Sequence, residues 1–379
     1  MLIEQLKLKF KKPQNDIRYR TLWQYLHIDL LLFSFLLLLS MSGLFILYSA
    51  GEQKIQITEI QIMHVVLAFI ILLIVAQVPP ITWQRSAPWI YVGGLLLLMI
   101  VLITGHIGKG AQRWLSIGIF RFQPSEIMKL SIPLFLAWYY HKIHLPITYQ
   151  SIFITLPIIL VPVVLTAKQP DLGTAILLFI AGGSVLFLAG LSGKMILSFL
   201  SMMMISIPSS WYLLHDYQRQ RVLTFINPER DPLGYGYHII QSKIAIGSGG
   251  VFGKGWLHGT QSHLHFLPEH ATDFIYAVYA EEFGFVGSLI LITLCLLIVA
   301  RGLSITIHAQ DTFSRLVAGS ITLTFFASFF INMGMVTGIL PVVGIPLPLV
   351  SYGGSSMISI MISFGVLMSI QTHRKLVST

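Results

Sequence analysis

Residues 266–287 read Phe-Leu-Pro-Glu-His-Ala-Thr-Asp-Phe-Ile-Tyr-Ala-Val-Tyr-Ala-Glu-Glu-Phe-Gly-Phe-Val-Gly, and an apolar run continues from there to Ala300. A polar segment that carries Glu269 and Asp273 therefore leads directly into a helix long enough to cross a membrane. Glu281 follows about 12 Å further along that helix, at 1.5 Å per residue. Because carboxylates are costly in hydrocarbon and normally face a bundle interior or a watery cavity, we expect the chemistry at this junction.

The composition indicates an integral membrane protein. Of the 379 residues, 55% are hydrophobic and 10% are charged, against about 25% charged in an average soluble domain. The single cysteine, Cys295, excludes an intramolecular disulfide framework. We attribute the net charge of +9 to cations that flank the membrane spans and that form sites for phosphate-bearing lipid, rather than to nucleic-acid binding. The polar and basic N-terminus does not resemble a cleavable signal peptide.

The apolar stretches predict an all-α integral membrane protein with about ten transmembrane helices. The predicted spans lie near 28–49, 60–78, 88–105, 127–141, 148–166, 172–190, 194–213, 273–300, 314–337 and 350–371. We expect the whole chain, 1–379, to form a single polytopic membrane domain. A long extracytoplasmic loop, 214–272, separates the seventh and eighth spans.

Charge at the two ends of the chain predicts the orientation. An even number of spans places both termini on one side. Cations cluster in the first twenty residues and in the tail, at Lys7, Lys9, Lys11, Lys12, Arg18, Arg20, Arg374 and Lys375. The opposite side holds nearly as many, but mostly in long loops, which influence topology less. The positive-inside rule therefore places both termini in the cytoplasm.

The external segment from Gly105 to Glu126 is too unusual for a simple connector. Its tryptophan, Trp114, is either an interfacial anchor or a surface on which a sugar or isoprenoid packs. Arg113 lies beside it. Glu126 and Lys129 fall on one side of the next predicted helix, where they form either a structural ion pair or part of a site wall.

Three further external segments carry polar groups. In Lys168-Gln-Pro-Asp171, the aspartate is most simply a helix N-cap. In the long loop, Tyr237 to Ile246, which includes Lys243, resembles an amphipathic helix on the membrane face. Gly247 to Gly255 offers backbone amides for a phosphate nest. The loop histidines His258, His263, His265 and His270 are interpreted as polar surface groups rather than a zinc site.

The last external segment, Gly338 to Ser356, is apolar but interrupted by Pro341, Pro346 and Pro348. Non-helical backbone at membrane depth occurs only where it is buried in protein or lines water. We therefore expect a re-entrant or cavity-lining segment that supplies Ser351; the simpler alternative is a plain turn.

Five motifs in this order resemble the SEDS family (shape, elongation, division, sporulation), and in particular its cell-elongation branch in Gram-negative bacteria. They are Gly110-Ala-Gln-Arg-Trp114, Gln123-Pro-Ser-Glu126, Gln169-Pro-Asp-Leu-Gly-Thr174, Phe266 to Phe274, and Gly338-Ile-Leu-Pro with Ser351-Tyr-Gly-Gly354. The resemblance implies a peptidoglycan glycosyltransferase of the inner membrane that polymerises lipid II at the periplasmic face and releases undecaprenyl pyrophosphate. It also implies a class B penicillin-binding protein and other elongation-complex membrane proteins as partners. The family's essential aspartate corresponds to Asp273, and an important loop tryptophan corresponds to Trp114.

The chemistry of that reaction is compatible with the residues. Inversion at the sugar carbon takes one displacement and one base, and pyrophosphate leaves without the protonation that glycosidases provide. We predict Asp273 as the base; alternatively it holds Mg²⁺ or Mn²⁺, or merely caps its helix. No organic cofactor is expected. The remaining candidates for substrate binding are the cations Arg113, Lys129, Arg221 and Lys243, together with Trp114, Glu126, Glu269, Glu281 and Ser351.

Two other functions remain open at this point. A lipid II flippase would also have many spans and cations that face an anionic lipid, but it should show inverted repeats and a charged path through the bundle. A scaffold that only positions a crosslinking partner would tolerate loss of Asp273.

Overall fold

The computed structural model describes residues 27–51, 53–108, 111–117, 120–143, 145–210, 216–228, 234–263 and 269–373. The basic stretch 1–26, Arg374, Lys375 and the start of the 266–274 motif lie outside them. The first elements are α1 (Leu30–Ala50), α2 (Ile55–Ala76), α3 (Pro80–Thr104), β1 (His106–Gly108), β2 (Ala111–Ile117), β3 (Phe120–Phe122), α4 (Pro124–His141), α5 (Tyr149–Lys168) and α6 (Leu172–Leu188). The rest are α7 (Gly193–Ser210), α8 (Asp216–Ile226), α9 (Tyr235–Ser248), α10 (Thr260–His263), α11 (Ile275–Ile307), α12 (Thr312–Val336) and α13 (Gly354–Thr372).

Helices occupy all ten predicted spans, which confirms the integral membrane fold. Seven of them, α1, α2, α3, α5, α11, α12 and α13, are long and apolar enough to cross a membrane. The apolar helix α6 is shorter, with 17 residues. Helix α4 carries Glu126 and Lys129 but lies inside the bundle, against α3, α6 and α12. Because its neighbours cover most of its residues, it does not need the apolar surface of a lipid-facing helix.

The two ends of the described chain meet. The rings of His27 and His373 stack with 3.8 Å between their centroids. Nearby, Arg301 of α11 donates to Asp29 at 2.6 Å, and Asp29 also caps α1 by accepting from the backbone amide of Leu32. Both described ends therefore lie on one side of the bundle, as an even number of spans requires. Which side faces the cytoplasm stays a prediction.

Residues 106–122 depart from the expected all-α fold. They form an antiparallel sheet of order β1-β2-β3, in which Trp114 pairs with His106 and Leu115 pairs with Phe122. The period-two alternation that favours strands spans only a few residues here and is easily overlooked beside long apolar runs. Pairing satisfies backbone polar groups where the chain crosses the end of the bundle.

The long external loop contains the predicted helix and a second feature that differs from expectation. Helix α9 covers the amphipathic stretch, but its Ile239, Ser242 and Ala245 are buried because it packs against α11. The prediction of a phosphate nest is wrong because the amides of Lys254 and Gly255 already donate to the backbone oxygens of Glu281 and Glu282, at 3.0 Å each. The glycines of this stretch permit close backbone packing instead.

Candidate functional site

A cavity of about 580 Å³ opens at the end of the bundle opposite the stacked rings of His27 and His373. It lies among the N-terminal ends of α4, α6, α11 and α13, and α13 runs from this cavity down to the stacked histidines. The volume is in the range of small-molecule sites, about 300–1,000 Å³. Seven of the predicted site residues line it: Asp273, Trp114, Arg113, Glu126, Arg221, Glu269 and Ser351.

Asp273 lies two residues before the start of α11, outside the N-cap position. The helix begins at Ile275 with Phe274 in the N-cap position, so the interpretation of Asp273 as the helix cap is wrong. Its carboxylate lies close to Gly344, since a Cβ added at that glycine would be 3.3 Å from Asp273 Oδ2. The aspartate is therefore presented to the cavity between the start of α11 and the proline-interrupted segment.

That segment, residues 338–353, lines the cavity and does not form a plain turn. The residues of the segment that line the cavity include Val342, Val343, Gly344, Pro346, Leu347, Ser351 and Tyr352, which confirms the expected cavity-lining role of the segment. The hydroxyl of Ser351 donates to the backbone oxygen of Thr272 at 2.7 Å and accepts from the amide of Leu347 at 2.8 Å. Ser351 thus connects the segment to the residue before Asp273.

Arg113 and Asp171 form one wall of the cavity. The guanidinium of Arg113 donates to the backbone oxygen of Pro170 at 2.7 Å and lies 3.8 Å from the carboxylate of Asp171. Asp171 caps α6 as predicted, by accepting from the amide of Thr174, and it also accepts from the side chain of Gln123 at 2.6 Å. Because Asp171 already has these donors, the arginine remains a source of positive charge at the cavity surface.

Glu126 and Lys129 form the ion pair that the sequence left open, with 2.6 Å between Lys129 Nζ and Glu126 Oε2. Ser359 of α13 donates to the same carboxylate oxygen at 2.6 Å. Glu126 lines the large cavity, whereas Lys129 lines a smaller neighbouring one of about 40 Å³. The lysine therefore neutralises the carboxylate of Glu126 without lining the large cavity itself.

The structure does not bring Glu281 or Lys243 to the cavity. Glu281 is fully buried and accepts from Lys254 Nζ at 2.7 Å and from the backbone amides of Thr260 and Gln261. It holds the glycine-rich loop against α11. Lys243 lies on the exposed side of α9, beside Gly338. Helical spacing placed Glu281 near the face of Asp273 but could not show that a loop would fold over it.

Several polar residues around the site were missed from the sequence. Asn332 and Gln61 are buried within apolar helices and contact the segments that flank Asp273. Polar residues in a membrane span are usually functional, so this signal was available. His238 also lines the cavity and stacks on Phe274, with 5.7 Å between the ring centroids. Nothing in the sequence distinguished it from the other loop histidines.

Among the described residues, no cluster of three or more His, Cys, Asp or Glu side chains is arranged to hold a metal ion. Two carboxylates, Asp273 and Glu269, nevertheless line the same cavity. Mg²⁺ is commonly bound through one or two carboxylates together with substrate phosphates. The donor set is therefore compatible with a divalent cation that arrives with a phosphorylated ligand.

These features define a polytopic helical membrane protein with a cavity at one end of its bundle that is lined by Asp273 and by two arginines, Arg113 and Arg221. The chain belongs to the FtsW/RodA/SpoVE family. The model of that family, described as a cell cycle protein, matches residues 20–376, in agreement with the resemblance seen in the motifs.

Individual relatives cover nearly the same range. The peptidoglycan glycosyltransferase MrdB of Escherichia coli K12 is 51% identical over 360 residues, which are 95% of this chain and 97% of that protein. A probable peptidoglycan glycosyltransferase FtsW of Geobacter metallireducens is 38% identical over 299 residues, which are 77% of this chain and 79% of that protein.

Solved structures share the fold. A chain from a study of how a peptidoglycan synthase complex coordinates polymerization and crosslinking matches with a TM-score of 0.80 and 30% identity, and the match covers 91% of this chain and 98% of that one. The rod shape determining protein RodA of Thermus thermophilus matches with a TM-score of 0.68 and 25% identity, over 91% and 97% of the two chains.

Proposed function

We propose that this protein is a peptidoglycan glycosyltransferase that polymerises lipid II into glycan strands during cell elongation. The observation that carries the proposal is the position of Asp273 in a cavity that also contains Arg113 and Arg221. The relative from Escherichia coli, which aligns over almost the whole chain, supports the activity. Its identity of 51%, against 38% for an FtsW relative, favours the elongation branch over the division branch.

The proposed reaction is a single displacement at the sugar carbon that bears the pyrophosphate. The 4-hydroxyl of an acceptor N-acetylglucosamine attacks that carbon, and the bond to the pyrophosphate oxygen breaks. Asp273 takes the hydroxyl proton, a role typically worth about 10²–10⁴-fold in rate. Undecaprenyl pyrophosphate leaves with the electron pair, and the anomeric configuration changes from α to β.

The leaving group requires positive charge more than it requires a proton. Of the four predicted cations, Arg113 and Arg221 line the cavity, whereas Lys129 pairs with Glu126 and Lys243 lies outside. Arginine suits this task because its planar guanidinium binds phosphate oxygens in a bidentate manner and stays charged. We therefore assign the pyrophosphate to the two arginines, and the sugar or isoprenoid to the side of the cavity near Trp114.

A divalent cation is the alternative use of Asp273. Together with Glu269, the aspartate would hold Mg²⁺ or Mn²⁺, and the bound ion would neutralise charge on the pyrophosphate. The residues of the chain keep the same tasks in either case: the arginines bind the phosphates and the cavity excludes bulk water. Full activity in excess EDTA would exclude this alternative.

The setting of the reaction follows from the fold and the charges. We propose that the chain lies in the bacterial inner membrane with both termini in the cytoplasm, which places the cavity at the periplasmic face. A class B penicillin-binding protein is the proposed partner, together with other elongation-complex membrane proteins. The similarity to a chain of a complex that couples polymerization to crosslinking supports such a partnership.

Purified protein with lipid II tests the proposal. The wild type is expected to form glycan strands, and Asp273→Asn is expected to lower kcat by about 10²–10⁴-fold because an amide cannot accept the proton. The matched control is Asp311→Asn, since Asp311 caps α12 by accepting from the amide of Ser314 at 2.8 Å. Lipid II that moves across liposomes without polymer would indicate a flippase, and normal polymerisation by Asp273→Asn would exclude the proposed base.

A further inference from the structure

Asn332 is a buried amide next to Asp273 and the proline-interrupted segment. It lies in α12, is fully buried, and is surrounded in sequence by the apolar run Phe-Phe-Ile-Asn-Met-Gly-Met-Val. Its Nδ2 donates to the backbone oxygen of Asp273 at 2.9 Å and to the backbone oxygen of Ile345 at 2.7 Å. A single side chain therefore joins the aspartate to the proline-interrupted segment.

The two bonds belong to a larger frame around the aspartate. Three consecutive backbone oxygens accept hydrogen bonds here. That of Ala271 accepts from the amide of Tyr352 at 3.0 Å, and that of Thr272 accepts from the hydroxyl of Ser351 at 2.7 Å. The third, of Asp273 itself, accepts from Asn332. The frame fixes the backbone of residues 271–273 relative to the segment that passes beside the Asp273 carboxylate.

Helix packing alone does not explain these bonds. A polar residue that serves only to attach two helices bonds to a side chain or backbone group of the facing helix. Ser320 does this in α12: its hydroxyl donates to the backbone oxygen of Ala181 in α6 at 2.8 Å. Asn332 instead reaches two non-helical segments, 269–274 and 338–353, which meet at the cavity. Non-helical backbone has no intrahelical bonds to hold it in place, so its position depends on such side-chain donors.

We propose that Asn332 is a positioning residue for Asp273. Its amide holds the aspartate at the distance from the acceptor hydroxyl that proton transfer needs, and it contacts no substrate. Displacements of about 1 Å at a reacting group, caused from outside the site, lower rates by about 10²-fold. The inference rests on the proposed function, since it assigns Asn332 a task within that reaction.

The experiment measures kcat and KM separately for lipid II polymerisation by Asn332→Leu. Leucine has nearly the same shape but donates no hydrogen bond. We expect kcat to fall about 10- to 100-fold because the base is no longer held in place. We expect KM to stay within about twofold because the groups that bind pyrophosphate are unchanged. Ser320→Ala is the matched control: it removes a buried bond from the same helix and should leave both constants near the wild-type values.

Asn332→Ser provides a second variant should the leucine variant fail to fold. Its short hydroxyl cannot reach both backbone oxygens, so kcat is again expected to fall while KM holds. A wild-type kcat in either folded variant, or a loss expressed only in KM, would overturn the inference. A wild type without polymerase activity would instead defeat the proposed function itself, whereas a wild-type kcat in Asp273→Asn would exclude the aspartate as the base.

Discussion

Three aspartates show that environment, rather than residue type, decides the task of a carboxylate here. Asp171 and Asp311 each accept from a backbone amide three residues later and thereby cap a helix. Asp273 also stands next to a helix start, but the helix begins one residue too late for it to serve as the cap. Its backbone is instead held by Asn332, which leaves the carboxylate at the cavity surface.

At the same scale, Arg113→Gln is expected to raise the KM for lipid II about tenfold, because a charge-assisted hydrogen bond contributes about 1.5–3 kcal/mol. The matched variant is Lys243→Gln, which removes a positive charge of the external region that lies off the cavity. Its KM should stay within about twofold of the wild type. Steady-state kinetics at fixed ionic strength give the KM of both variants. An equal rise in KM for the two variants would refute the assignment of the pyrophosphate to the arginines.

At the scale of elements, helix α11 consists of two parts. Gly284 interrupts it with φ 65° and ψ −159°, and the large exposed apolar side chains of the helix begin just after it, at Phe285. The first part, 275–283, is buried and bound by the glycine-rich loop. The break therefore separates the part of α11 that supports the site from the part that crosses the membrane.

Gly284→Ala is expected to lower the free energy of unfolding by about 1–3 kcal/mol, the typical cost of a residue held in an unfavourable backbone conformation. The added Cβ would also lie only 2.3 Å from the amide nitrogen of Gly253. Gly183→Ala in α6 is the control because its Cβ would meet nothing within 4 Å. Thermal unfolding in detergent should show a lower midpoint for the first variant alone; two unchanged midpoints would mean that the break is not needed.

At the scale of the whole molecule, the cavity and the two ends of the described chain occupy opposite ends of the bundle. The residues that line the cavity lie at or near the ends of helices on one side, whereas His27 and His373 meet at the other end. Such separation suits a protein that receives a lipid-linked substrate on one face of a membrane.

The proposed orientation predicts which residues an impermeant reagent reaches. In a Cys295→Ala background, a cysteine at Ile339, which is 69% exposed at the start of the proline-interrupted segment, should react with an impermeant maleimide in spheroplasts. A cysteine at Gln310, exposed between α11 and α12, should react only after the membrane is permeabilised. The opposite pattern would invert the topology and place the cavity in the cytoplasm.

The membrane fold and much of the candidate site can be predicted from the order of the residues alone. Helix length and apolar composition are local properties, so the ten spans were predictable to within a few residues in most cases. The order of motifs identified the family and selected Asp273, Trp114, Arg113 and Glu126, all of which line one cavity. The small sheet at 106–122 was missed because its alternation is too short to stand out.

Which polar groups come into contact depends on how the helices and loops pack together. Glu281 follows Asp273 by only eight residues, yet a loop that lies between 20 and 27 residues away in sequence covers it and pairs it with Lys254. Lys129 follows Glu126 by three residues, yet it lines the smaller neighbouring cavity rather than the large one. Asn332 is 59 residues from Asp273 and still holds its backbone. Spacing along a helix predicts the direction in which a side chain points. Whether that side chain contacts another polar group depends on how segments distant in sequence pack against the helix, and a single sequence carries no local signal for that packing.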